Sequence, residues 1–256
     1  MVTTLKHGTG RFGPKRVTMV RRRHALLAEL HAHTTWSDGE LTPAALVDLY
    51  GEARFDVVAI TDHVVASARR EFVRAETFAA YLEEIDAEAE RARSQYGLLV
   101  VPGLELTVED QDPARAAHAV AIGLRRFVGV DDGLDEALRQ ARAAGAALVA
   151  AHPYSLTNAS SAARITARFA CEPEWAAGVV DRFELVNRDE VFGWVAARRL
   201  PAVASGDFHR PEHLTTWKTL LNCRKNEEEV VAELRSRRPC ALTRVDGEGR
   251  PASRAA

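Results

Sequence analysis

Apolar residues along this chain come in short blocks separated by polar, amphipathic stretches. The blocks read as strands over Ala25–Leu30, Asp56–Thr61, Leu98–Leu104, Ala117–Leu124, Ala146–Ala151, Arg182–Val186, Ala202–Ser205, Trp217–Asn222 and a short Cys240–Thr243. Between them lie helical patterns. Thr42-Pro43 opens one that runs to Arg54, with threonine as N-cap and proline at the first helical position. A second, Glu71–Gln95, carries Phe78, Tyr81, Leu82, Ile85 and Ala89 on one face. Leu134–Ala144 ends at Gly145, a polar loop and helix cover Ser155–Ala170, and Asp189–Arg199 and Glu227–Arg237 complete the set. Strand–helix alternation predicts a parallel sheet, and seven or eight repeats in about 220 residues predict an α/β barrel with its site at the C-terminal ends of the strands. With no internal repeat or linker, one domain is expected.

Composition narrows this picture only slightly. The chain has 256 residues, 46% hydrophobic, with a net charge of −2. That balance gives no global reason to expect nucleic acid. Three distant cysteines, without a C-x-x-C, suit reduced thiols and a cytoplasmic setting. No apolar run is long enough to span a membrane, and the first residues lack the apolar core of a secretory signal. Residues 1–24 are basic and free of acids, and read as a mobile arm; residues 246–256 read as a frayed tail. A nucleic-acid or anionic-substrate arm is the sharper alternative for the first segment.

The chemistry is concentrated where the blocks end. Glu29-Leu-His31-Ala-His33-Thr-Thr-Trp-Ser-Asp38-Gly39 places two histidines at i, i+2, on one face of a strand, where they can grip one cation. Later blocks end in Thr61-Asp62-His63, Gly103-Leu-Glu105, Ala151-His152-Pro153 and Gly206-Asp207-Phe-His209, while Ala117–Leu124 opens with His118. Six of the nine histidines lie at such ends. Each alone could be a core histidine or a loop cap; together with the carboxylates they form a ligand set.

This set resembles the PHP family (polymerase and histidinol phosphatase domains), over residues 25–245 and in motif order. The resemblance implies a distorted (β/α)7 barrel, TIM-like, holding two to three divalent ions. It implies that His31, His33, Glu105 and Asp207 hold one ion, that Glu105 bridges to a second with His118 and His152, and that Asp38, His63 and His209 hold a third. Imidazole and carboxylate ligands suit zinc, manganese or iron. Three such ions would bring +6 against −3 from Glu105, Asp38 and Asp207, leaving a pocket of about +3 that attracts phosphate. A water between two ions ionises near neutral pH and can attack phosphorus. Asp62 is expected to orient His63 or carry a proton, and Arg210 is the favoured phosphate-binding arginine, with Arg188 and Lys218 as further candidates.

The expected function is hydrolysis of a phosphate ester, most simply a small monoester such as a nucleotide, sugar phosphate or histidinol phosphate. A nuclease or phosphodiesterase acting on nucleic acid is the nearest alternative. Only about thirty residues separate His118 from His152, against the helical insertion that family nucleases often carry there. An amidohydrolase-like C–N hydrolase is a second alternative, disfavoured because no lysine lies between Lys15 and Lys218 to bridge metals as a carbamate. A binding module that uses metal only for shape is the third. The oligomeric state is left open.

Overall fold

The computed structural model describes residues 25–66, 72–156 and 166–246; the basic arm expected over 1–24 and the tail from residue 247 lie outside the described residues. The chain runs β1 (Leu26–Glu29), α1 (Pro43–Glu52), β2 (Val57–Ile60), β3 (His63–Val64), α2 (Phe78–Tyr96), β4 (Leu99–Val108), β5 (Ala117–Ile122), α3 (Leu134–Ala143) and β6 (Ala147–Ala151). It continues through α4 (Arg168–Cys171), α5 (Pro173–Val179), β7 (Arg182–Asn187), β8 (Glu190–Val191), α6 (Gly193–Ala197) and β9 (Ala202–Ser205). A 3-10 turn at Pro211–Thr215 leads to β10 (Trp217–Leu221), α7 (Glu227–Arg235) and β11 (Ala241–Arg244).

Seven strands pair in the circular order β1, β2, β4, β5, β6, β7, β9. The circuit closes where Ala32 bridges Phe208 in parallel. His33 N donates to Phe208 O at 2.8 Å and Phe208 N to His31 O at 3.0 Å, so the closing seam is made by the two segments that carry H-x-H and D-x-H. β10 and β11 extend the sheet outside the circuit, β10 pairing antiparallel with β1 and β11 antiparallel with β10. The result is a distorted, TIM-like α/β barrel.

The sheet is mixed rather than parallel throughout, which corrects the simple alternation reading. β5 is antiparallel to both β4 and β6, because only the loop between Val108 and Ala117 joins β4 to β5 and no helix carries the chain back. Two helix expectations also shift. α2 begins at Phe78 rather than Glu71. The stretch from Asp189 starts as β8, folded back on β7 with Asn187 opposite Glu190, and leaves only a short α6. The N-cap read at Thr42 is present, its hydroxyl accepting from Ala45 N at 3.2 Å.

Strand parity sorts the core into two layers. Leu26, Ala28, Leu30, Val57, Ala59, Val101, Val120, Ala147, Val149 and Val203 fill the barrel interior, and Val230 and Leu234 of α7 pack against them. Alternate residues of the same strands face the outer helices. Among the described residues no helix is long and apolar enough to cross a membrane.

Beneath the closing seam sits a buried ion pair. Lys218 Nζ lies 2.8 Å from Glu29 Oε2, both side chains being fully buried. The ammonium also donates to Thr216 Oγ1 and His213 O. The carboxylate accepts from Tyr50 OH, Gly206 N, Leu30 N and His31 N. A Cβ on Gly206 would crowd Lys218 Nζ and Glu29 Oε2, so any larger residue before Asp207 must displace the ion pair. Lys218 is thus a structural cation, not the phosphate-facing one considered from sequence. Lys218→Met is expected to cost about 3–5 kcal/mol in urea unfolding, since it strands a buried carboxylate, and adding Glu29→Gln should recover part of the loss. A cost near zero for the single variant would contradict this placement.

Candidate metal centre

The described positions His31, His33, Asp38, His63, Glu105, His118, His152, Asp207 and His209 converge at one end of the barrel. Each arrives by a different local route. At β1 the N–H groups of Leu30 and His31 both turn onto the Glu29 carboxylate, and parity shifts by one residue there. Leu30 faces the interior and Ala32 the outer layer, so His31 and His33 point inward. β3 pairs with β4 so that His63 stands opposite Glu105. Because β5 runs antiparallel, its first residues, not its last, reach this end, and His118 pairs beside Ala151. His152 (φ 27°), Arg188 (φ 52°) and Asp207 (φ 43°) occupy the left-handed region, three strained non-glycine residues at one place. Gly39 lets the Asp38 loop close onto the seam, since a Cβ there would lie 2.3 Å from His33 O.

Glu105 is the hub. Its Oε2 lies 2.8 Å from His63 Nδ1, 3.3 Å from His31 Nε2 and 3.4 Å from His33 Nε2; its Oε1 lies 3.2 Å from both His118 Nδ1 and His152 Nε2. Asp207 Oδ1 is 3.6 Å from His31 Nε2 and 3.5 Å from His33 Nε2. Asp38 Oδ1 is 3.2 Å from His209 Nε2 and 3.6 Å from His63 Nε2. Ligand atoms of a tetrahedral ion bound at 2.0–2.1 Å stand about 3.3 Å apart, so these spacings match shared coordination. Three overlapping groups could each hold an ion: His31, His33 and Glu105; His63, Glu105 and His118; and His33, Asp38, His63 and His209.

One atom tests the fit. Glu105 Oε2 is buried and has no hydrogen-bond partner. A carboxylate oxygen left so is costly unless a cation takes its charge. The His31 and His33 Nε2 atoms are 3.0 Å apart, close enough for their lone pairs to aim at one ion. The donor set fits a transition-metal or zinc centre.

Without an ion the imidazoles must neutralise the acids. Burial opposes its charge, but His63, His31 and His118 hold Glu105 well below the ordinary carboxylate range. Burial likewise opposes Asp207, which His31, His33 and His152 hold low. Burial lowers His31, yet Glu105, Asp207 and Glu184 raise it well above 6.5. His63, His152 and His209 are raised against the same opposition, by Glu105 for the first two and by Asp38 for the third. His33 goes the other way, to about 3, through burial and the charge of His63, and so stays neutral and able to ligate.

One residue missed by strand-end reading, Glu184, and one named there only as a further candidate, Arg188, complete the centre. Glu184, in the middle of β7, places Oε1 3.0 Å from His31 Nδ1 and accepts from His152 N and Asn187 Nδ2. It fixes which His31 nitrogen faces the centre. It also adds a fourth carboxylate, so three ions would leave about +2 rather than +3. Its signal was a lone acid set among Phe183, Leu185 and Val186. Arg188 donates through Nη2 to Asp207 Oδ2 at 3.0 Å and to Asp207 O at 2.9 Å, and borders the cleft. Arg210 sits at the edge, its Nε 3.4 Å from His213 Nε2. Asp62 accepts from Thr34 N, Thr34 Oγ1 and Ser37 Oγ, bracing the loop between His33 and Asp38; burial raises it, against those hydrogen bonds.

A cleft of about 220 Å³ opens on the centre, lined by His152, Tyr154, Asn187, Arg188, Glu190 and Asp207. A larger hollow of about 560 Å³ lies against Leu98–Val100 and holds none of these ligands; its Arg125 and Lys225 are already paired with carboxylates.

The architecture defines the class as a TIM-like barrel of the kind seen in PHP-like phosphoesterases and amidohydrolases. A two-domain protein from Bacteroides vulgatus, described as containing a predicted PHP-like metal-dependent phosphoesterase, matches with a TM-score of 0.65 at 19% identity, over 92% of this chain and 69% of that one. An amidohydrolase from Chromobacterium violaceum, solved with sulfate and no metal, matches with a TM-score of 0.54 at 17% identity, over 85% and 97%. In sequence the chain is 39% identical over 84 residues to the 5'-3' exoribonuclease Rnm of Escherichia coli K12, and 38% identical to that of Salmonella typhimurium LT2. The match covers 33% of this chain and 24% of each enzyme, so the chain spans about a quarter of the relatives it matches. No family model matches the chain.

Two outcomes follow for the ion-free and loaded protein. His31, His63, His152 and His209 are raised above 6.5. Their charged pairs therefore stabilise the fold fully below that pH and cease to as pH rises through the elevated values. With chelator, Tm should fall over the interval above about pH 6.5; with manganese or zinc, which take neutral imidazoles, it should hold or rise. A chelated Tm that climbs across the interval contradicts the charge assignment. Separately, Glu184→Gln is expected to weaken metal binding about 10–100-fold by calorimetry.

Proposed function

We propose that this chain is a PHP-type metal-dependent phosphoesterase. The observation that carries the reading is the buried Glu105 carboxylate, whose Oε2 faces three imidazoles from two segments and has no neutral hydrogen-bond donor. In this reading His31, His33, Glu105 and Asp207 hold one ion, Glu105, His118 and His152 a second, and Asp38, His63 and His209 a third. Zinc, manganese or iron suit the donors, with two to three ions bound. Such ions supply Lewis-acid polarisation of a phosphoryl oxygen and a water acidic enough to lose its proton near neutral pH.

The chain's own groups supply the rest. Arg188, anchored on Asp207, offers guanidinium hydrogens to non-bridging phosphate oxygens as they gain charge. Glu184 keeps His31 in one tautomer, and Asp62 holds the loop that presents Asp38. Arg210 remains a candidate at the rim for binding rather than chemistry.

A cleft of about 220 Å³ suits a small phosphate monoester better than a polymer. The likeness to Rnm favours a second reading, a nuclease acting on nucleic-acid ends. The three free thiols accord with a cytoplasmic setting.

With manganese or zinc, the purified protein should release p-nitrophenol from p-nitrophenyl phosphate, and His33→Ala or Asp207→Ala should reduce release to background. Arg188→Ala should lower kcat/KM by about tenfold or more. Turnover of oligonucleotides but not of any monoester would favour the nuclease. No turnover of either, with metal fully loaded, would leave only a binding module.

A further inference from the structure

The cleft has an outer wall that hydrolysis itself does not use. Its inner end is His152, Asp207 and Arg188, where the phosphoryl group belongs if the proposed chemistry is right. Its outer end is Tyr154 and Glu190. Tyr154 OH donates to Glu190 Oε2 at 2.6 Å. The phenol's one hydrogen is thereby committed, and its oxygen is left as an acceptor. Among the described residues no other group donates to the Glu190 carboxylate.

This wall is held rigidly. Glu190 pairs with Asn187 in the β7–β8 hairpin, and Phe192 N donates to Leu185 O at 2.8 Å behind it. Arg188 N donates to Ser205 O at 2.9 Å, locking the turn to β9. Trp194 Nε1 reaches Pro153 O at 2.7 Å, which ties the hairpin's far side to the strand end bearing Tyr154. The Tyr154 ring packs edge-on to Phe192 with centroids 5.1 Å apart.

The cleft is therefore polarised, with a guanidinium at the phosphoryl end and a carboxylate with a phenolic oxygen at the other. Among the described residues, a group entering the outer end finds only acceptors. Hydroxyl donors are received there, and a second phosphate meets like charge. We propose that Tyr154 and Glu190 form a leaving-group subsite that selects the hydroxyls of a sugar or polyol monophosphate and turns away bisphosphates. The inference rests on the phosphoesterase reading and adds the class of alcohol.

The test uses the full chain loaded with manganese and substrates matched in size. Glycerol 1-phosphate and n-propyl phosphate differ only in two hydroxyls; ribose 5-phosphate and ribose 1,5-bisphosphate differ only in a second phosphate. The wild type should favour the first of each pair in kcat/KM by about tenfold or more, chiefly through KM. Glu190→Ala should bring the glycerol-to-propyl ratio close to one, and Glu190→Lys should reverse the bias against the bisphosphate. Glu190 is exposed, so both variants should keep the wild-type Tm. Equal wild-type rates on both members of a pair, or a ratio unmoved by Glu190→Ala, overturns the subsite. If the wild type turns over none of the four, nor p-nitrophenyl phosphate nor oligonucleotides, the phosphoesterase reading fails. Calorimetric affinities of the metal-loaded protein for the same pairs then judge the wall alone, equal affinities overturning it.

Discussion

A carboxylate buried at the mouth of a barrel is the constraint around which this molecule is arranged. Glu105 is fully buried, and one of its oxygens has no hydrogen-bond partner. Burying such a charge is tolerable only when opposite charge surrounds it. Here it comes from imidazoles on β3, β5 and the segments after β1 and β6, which can be protonated themselves or give their lone pairs to ions. Both alternatives require the same geometry, so the cage is preorganised for metal.

That geometry depends on how the barrel closes. The H-x-H and D-x-H segments form the seam, and the Glu29–Lys218 pair lies directly beneath it. One Glu29 oxygen binds Gly206 N together with Leu30 N and His31 N. The register of the two ligand-bearing segments and the parity shift that turns His31 inward are thus set by one side chain. The left-handed residues His152, Arg188 and Asp207 show where backbone strain accompanies aim. Around the mouth, Arg188 and Glu190 give the cleft opposite charges at its two ends.

Much of this was legible from the sequence because strand-end chemistry is local. Apolar runs located the barrel strands, and the residues after them are the ones that meet at the mouth. Strand direction was less legible: a sheet parallel throughout does not explain why His118 comes first in its strand. The missing helix between β4 and β5 was the clue that β5 runs the other way. Glu184 escaped notice because it lies inside a strand, and only the barrel's curvature shows that its face is the interior. Arg210 stood out by adjacency to His209, whereas Arg188 reaches the centre across the sheet, through a turn that folds where a helix was expected. Lys218 shows the converse, a charge near a motif that the fold buries for stability.

The central claim is that several chain segments share ions through Glu105. Anomalous diffraction from crystals soaked in manganese or zinc tests it most directly. The account predicts metal peaks on both sides of the Glu105 carboxylate, each within about 2.0–2.3 Å of an oxygen and of at least one of His31, His33, His63, His118 or His152. Anomalous density confined to other parts of the molecule, with Glu105 contacting no ion, would contradict it.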